Sequence, residues 1–270
     1  MPPTSPSSTT ASPAASSDPG LPRPGGLCAI HQPNLFPRLT TLAKLFAADY
    51  WIVLDDVQFT RRDYQHRTRL AALDDPQRRQ WLTIPTHLPQ GRRTTVQRAV
   101  IADPVPTRRR VAQMLTHHYA PSRHWATLRR ELPQVLDLFT LTDRTAEVAE
   151  ASTRLLLDLL GWPGTILRSS ELDARPGRSQ RLADLAATTG ARSYLCGTGG
   201  MTYLDTSLFT ARGITVTAFR APTDPQWQTG CQVTAVHALM CHGPQNLARQ
   251  LQAIGSQNRS RSYGDCAHTS

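Results

Sequence analysis

At 270 residues, 39% of them hydrophobic, the chain is long enough for one large α/β domain or two small ones with a sizeable core. No window approaches the roughly 18 consecutive apolar residues of a membrane span. None of the five cysteines is paired as C-x-x-C, which argues against a disulfide framework or a zinc site and for reduced thiols in a cytoplasm. The formal charge of +10 favours anionic partners, but no helix-turn-helix, zinc-finger or aromatic RNA-binding pattern accompanies it, so nucleic acid is not expected.

Residues Met1 to Gly26 are almost all Pro, Ser, Thr, Ala and Gly. Such a stretch buries too little apolar surface to offset the entropy of ordering it, and it has neither the basic start nor the apolar run of a signal peptide. It is expected to be a disordered tail. Leu27 to Ile30 then reads as a strand, His31 to Pro37 as a polar loop and Leu39 to Ala48 as a helix. Tyr50 to Leu54 is apolar on both faces, the mark of a buried parallel strand, so the fold begins with a βαβ unit. A polar, basic stretch follows from Gln58 to Arg69, then strands at Trp81 to Pro85 and within Arg92 to Ile101. Helices are expected over Thr107 to Tyr119, Arg123 to Leu132 and, most clearly, Ala146 to Leu160, with Gly161 as its stop. Thr165 to Leu167, Ser193 to Cys196 and Ile214 to Phe219 read as strands, with a helix over Ser179 to Thr189. Val233 to Ile254 is mostly helical, and residues 256–270 read as a flexible C-terminal tail.

Strands alternating with helices imply an α/β fold over residues 27–255: a mainly parallel, Rossmann-like sheet with helices on both faces. In such sheets ligands sit beyond the carboxyl ends of the strands. Three strand ends here are polar, small or ionisable: His31-Gln32-Pro33-Asn34, Asp55-Asp56-Val57-Gln58 and Cys196-Gly197-Thr198-Gly199-Gly200. They are expected to line one crevice.

Each segment also has a plainer reading. His31 can serve as acid or base or donate to a phosphate, but Pro33 and Asn34 also suit a simple turn. Asp55 and Asp56 point to opposite faces if the strand continues; one can cap a turn while the other binds Mg²⁺, an amine or an arginine. The run Arg61 to Arg67 is either a solvated basic loop or an anion clamp. The glycines at 197, 199 and 200 either turn the chain or let backbone approach a ligand, and Cys196 is either a nucleophile or a small buried residue. Lys44 is the only lysine, a skew towards arginine that codon bias in a GC-rich genome would produce.

Taken together, the segments I-H-Q-P-N-L-F-P-R-L (Ile30 to Leu39), L-D-D-V-Q-F (Leu54 to Phe59) and R-D-Y-Q-H-R-T-R-L (Arg62 to Leu70) resemble the WbqC-like protein family. So do W-L-T-I-P (Trp81 to Pro85), R-S-S-E-L (Arg168 to Leu172) and Y-L-C-G-T-G-G-M-T-Y-L-D (Tyr194 to Asp205). The chain departs from that pattern at Leu35 to Leu39, at Tyr64 to Arg67, at Cys196 where serine is usual, and at His237 where an acid is usual. The resemblance implies a biosynthetic tailoring enzyme for O-antigen sugars or natural products, transferring an acyl or aminoacyl group onto an amine. For such a transferase His31 would be the acid/base, with Asp55 or Asp56 orienting the amine or holding a metal such as Mg²⁺. Gln32, Asn34, Gln58, Arg62, Arg67, Arg181, Gly197, Gly199 and Gly200 would bind the substrate and an anionic donor. That donor would be a nucleotide, CoA or the phosphopantetheine of an acyl-carrier protein. A non-catalytic ligand-binding or scaffold protein using the same crevice is the alternative. A more distant likeness, to nucleotidyltransferases of the pantothenate-synthetase type, lacks their H-x-G-H motif and bears on architecture alone.

Overall fold

A computed structural model describes residues 26–264. The tail expected over residues 1–26 therefore lies outside the described residues but for Gly26. The chain opens with β1 (Leu27–His31), passes through α1 (Leu39–Ala47) and returns as β2 (Tyr50–Val53). It then leaves the sheet for two antiparallel pairs, β3 (Arg67–Ala71) with β4 (Arg79–Thr83) and β5 (Thr86–His87) with β6 (Val100–Ile101). A helical block follows: α2 (Pro104–Tyr119), three shorter helices between residues 125 and 141, and α3 (Thr145–Leu159). The chain re-enters the sheet as β7 (Thr165–Arg168), α4 (Arg178–Thr188), β8 (Ser193–Cys196) and β9 (Thr215–Ala218), and closes with α5 (Ala235–His242) and α6 (Pro244–Gly264).

The main sheet has five strands in the order β7-β2-β1-β8-β9, all parallel. Its pleat explains the unbroken apolar runs. Leu27, Ala29, Trp51 and Val53 pack into the larger core with α1, α3 and α6, while Cys28, Ile30, Tyr50 and Ile52 pack on the other face with Leu182, Leu185 and Phe209. With helices over both faces, neither side of a central strand meets water, so neither side is polar.

Two elements differ from the expectation. β3 overlaps the end of the stretch read as polar and basic, Gln58 to Arg69. Its burial alternates, Thr68 and Leu70 inward and Arg67 and Arg69 outward over Trp81, and the arginines hide that period-two pattern. At the other end, α6 continues through Gly264 where a flexible tail was expected. Leu247, Leu251, Ile254, Asn258 and Ser262 form one buried stripe whose last two members are polar. Asn258 repays its burial by bonding both backbone groups of Arg220, accepting from the N–H at 3.0 Å and donating to the carbonyl at 3.1 Å. Among the described residues, no helix is long and apolar enough to cross a membrane.

Candidate functional site

The chain leaves β1 towards β2 and β7 and later crosses to β8 on the other side, so the strand order reverses between β1 and β8. At such a reversal the connections part in opposite directions and open a crevice at the carboxyl edge. A cavity of about 670 Å³ opens here. Its walls are Ile30, His31 and Gln32 from β1 and its exit, Arg38 and Lys44 around α1, and Tyr194, Cys196 and the segment 197–200 from β8. Asp63, Arg178 and Tyr203 also line it.

His31 is tightly set. Its carbonyl accepts from Leu54 N–H at 3.0 Å and from the Trp51 indole N–H at 3.2 Å. Its Nδ1 lies 2.8 Å from the Gln32 carbonyl. A carbonyl only accepts, so Nδ1 carries the proton and Nε2 keeps its lone pair. Desolvation, then repulsion from the nearby Lys44 ammonium, pushes the His31 pKa down to about 3, which leaves a neutral imidazole at ordinary pH. The loop behind it is held by several bonds at once. The Phe36 backbone, at φ +41° in a region a bulky residue rarely occupies, donates its N–H to Ser152 and accepts from the Thr68 hydroxyl.

Lys44 is buried on α1 with its ammonium donating to the Ile30 carbonyl at 3.2 Å. Desolvation lowers its pKa to about 8. Across the cavity, burial raises the pKa of Cys196, and its thiol lies 3.4 Å from the Gly197 carbonyl. A thiol that is buried, kept protonated and turned to a carbonyl fits the reading of Cys196 as a small buried residue. Gly200 is required by this packing: a Cβ there would lie 2.5 Å from Cys196 Sγ.

Of the residues singled out from sequence, His31, Gln32, Gly197, Gly199 and Gly200 share this cavity. The others do not line it. Asn34 is buried beneath the loop, donating to the Pro33 carbonyl, while its own carbonyl accepts from Thr153 of α3. Asp55 shares the carboxyl edge with His31 but turns towards the end of β7, where its oxygens accept from the Ser169 hydroxyl and from the Ser170 N–H and hydroxyl. Asp56 is paired with Arg181 and accepts from Ser169. These carboxylates brace β2 against the β7 exit, and their oxygens are already engaged by protein donors, which argues against the Mg²⁺ reading of the pair. Among the described residues no cluster of three or more His, Cys, Asp or Glu is placed to hold a metal. Gln58 is exposed and donates to the Arg92 carbonyl. The expected Arg62–Arg67 clamp is not formed at the cavity either. Arg62 is exposed, and Arg67 lies over the Trp81 ring at 4.4 Å and donates to the Asp63 and Arg62 carbonyls.

The basic groups that do line the cavity are Arg38, Lys44 and Arg178, which the reading by segments missed. One signal was available: a lone lysine in a chain that otherwise uses arginine marks a position where a compact amine is retained.

Comparison with known proteins agrees with the motifs. The chain is 27% identical over 194 residues to "Uncharacterized protein Rv1507c" of Mycobacterium tuberculosis, covering 71% of this chain and 80% of that protein. No solved structure matches it. The WbqC-like protein family profile matches residues 32–248, most of the chain, and the chain belongs to that family.

Proposed function

We propose that this protein is a biosynthetic tailoring transferase, moving an acyl or aminoacyl group onto an amine of a sugar or natural-product intermediate in the cytoplasm. The observation that carries the proposal is the His31 imidazole, its Nδ1 held 2.8 Å from the Gln32 carbonyl, on the wall of a cavity at the strand-order reversal. Nε2 takes a proton from the attacking amine as its nitrogen adds to the donor carbonyl. The tetrahedral oxyanion that forms is stabilised by the cavity's cations. Its collapse breaks the bond to the donor's leaving group, which receives the proton from His31, and leaves an amide. Buried, unbridged Cys28 and Cys196 suit a reducing compartment.

The test is amide formation, read by mass spectrometry, from a panel of CoA thioesters, carrier-bound thioesters and aminoacyl adenylates with amino-sugar acceptors. Turnover by the wild-type chain, lost in His31→Ala with the fold retained by circular dichroism, supports the proposal. With His31 already neutral, the rate should show no acid limb near pH 6.5. Saturable ligand binding without turnover on the whole panel, or full turnover by His31→Ala, refutes it; the first outcome supports the non-catalytic alternative.

A further inference from the structure

Some of the arginines of this chain are neutralised in pairs. Asp184 takes Arg175 and Arg212, Glu150 takes Arg154 and Arg168, and Asp56 takes Arg181. The cations of the cavity are not among them. Among the described residues, Arg38, Lys44 and Arg178 make no ion pair with any carboxylate. Each is instead held by a neutral partner. The Arg38 guanidinium lies over the Tyr64 ring at 4.3 Å and donates to the Cys231 carbonyl, and its Nε is buried with no partner. Arg178 lies 3.2 Å from the Tyr203 ring centre, and Lys44 donates to the Ile30 carbonyl. Rings and carbonyls fix where the cations sit without cancelling their charge.

The lining also holds one carboxylate, Asp63, one of whose oxygens accepts from the Tyr64 N–H. Three cations against one carboxylate leave a surplus of two positive charges in a partly desolvated space. A monocarboxylate or a neutral sugar would leave at least one of them uncompensated, and unpaired charge away from water is costly. A dianion balances the surplus, and planar guanidinium forks match phosphate oxygens in pairs. The volume of about 670 Å³ leaves room for a nucleotide-sized body beside that group.

We propose that Arg38, Lys44 and Arg178, each pre-positioned by a neutral partner, form a subsite for a dianionic phosphoryl group, a phosphate ester or diphosphate, carried by the ligand of this cavity. This names the donor's chemistry for the transfer proposed above and rests on that cavity being its site. Binding is read without turnover, so the two readings can fail separately.

The experiment is isothermal titration of the full chain with pyrophosphate, ADP, CoA and adenosine, at low and high salt. Pyrophosphate, ADP or CoA should bind, with affinity falling as salt rises, and adenosine should bind far more weakly. A preference for CoA assigns the phosphate to a thioester carrier; equal binding of ADP assigns it to a nucleotide; full affinity for pyrophosphate alone shows that the phosphoryl group suffices. Arg38→Ala and Arg178→Ala should each weaken binding by about tenfold or more, the size of a lost charge-assisted hydrogen bond. Arg109→Ala, exposed on α2 outside the cavity, should bind as wild type. Arg178 is exposed, so its variant keeps the test sound if Arg38→Ala misfolds. Adenosine binding as tightly as ADP, wild-type affinity in Arg178→Ala, or no saturation with any of the three phosphates overturns the proposal.

Discussion

Asp55→Ala separates a bracing carboxylate from a catalytic one. Asp55 is 5% exposed, and its Oδ1 accepts from the Ser170 N–H and the Ser169 hydroxyl, each at 3.0 Å. A third bond, from the Ser170 hydroxyl, counts for little because Ser170 is exposed and water can replace the carboxylate. The one Ser169 proton is shared with Asp56, so a full bond and part of a second, at about 1.5 kcal/mol for a full one, give an expected loss of about 2 kcal/mol. In a chain of this size that lowers Tm by roughly 4–8 °C. Asp55→Asn keeps an oxygen for the Ser170 N–H and should cost about 1 kcal/mol. Urea denaturation followed by tryptophan fluorescence gives both values. If Asp55→Ala unfolds at the wild-type midpoint but loses ligand binding or turnover, the carboxylate serves the ligand and the bracing role is wrong.

Acid should destabilise the fold through its neutral histidines. Burial holds His31 near pKa 3 and His66 near 4, while the unfolded chain protonates near 6.5, so the unfolded state binds more protons across that interval and stability falls as pH drops from about 6.5 towards 4.5. The slope is on the order of 1.4 kcal/mol per pH unit per histidine, and His66→Gln should flatten it; an unchanged slope in that variant contradicts the assignment. Gly200→Ala forces a Cβ against Cys196 Sγ and should cost about 1–3 kcal/mol, much of it recovered in Cys196→Ala/Gly200→Ala. Additive costs in that cycle would show that the clash is not what excludes alanine. Asn258→Ala leaves both backbone groups of Arg220 without their partner and should lower stability by about 1–3 kcal/mol in thermal melts, whereas a truly loose C-terminus would show no change.

Some of this protein was legible in its residues alone. Tyr50 to Val53 is apolar at every position because both faces of a central parallel strand are covered, and that property needs no knowledge of the neighbours. The βαβ opening, the helix ending at Gly161 and the polar strand ends follow from such local rules, and the ordered motifs identify the WbqC-like family. The reach of each side chain does not. Asp55 and His31 end adjacent strands on the same edge, yet one turns to the serines after β7 and the other lines the cavity beside β8, because strand order, not sequence order, decides which loop is nearest. Arginines are equally opaque in sequence: Arg67 and Arg178 differ only in what lies within reach, a tryptophan on the outer face of a hairpin or a tyrosine at the cavity. Lys44 shows the limit best. Its helix is apolar on nearly every side because sheet and α6 enclose it, and only that enclosure makes a lone lysine a buried cation facing the site. A charge takes its meaning from the solvent it has lost and the partners it lacks, and both are set by segments distant in the chain.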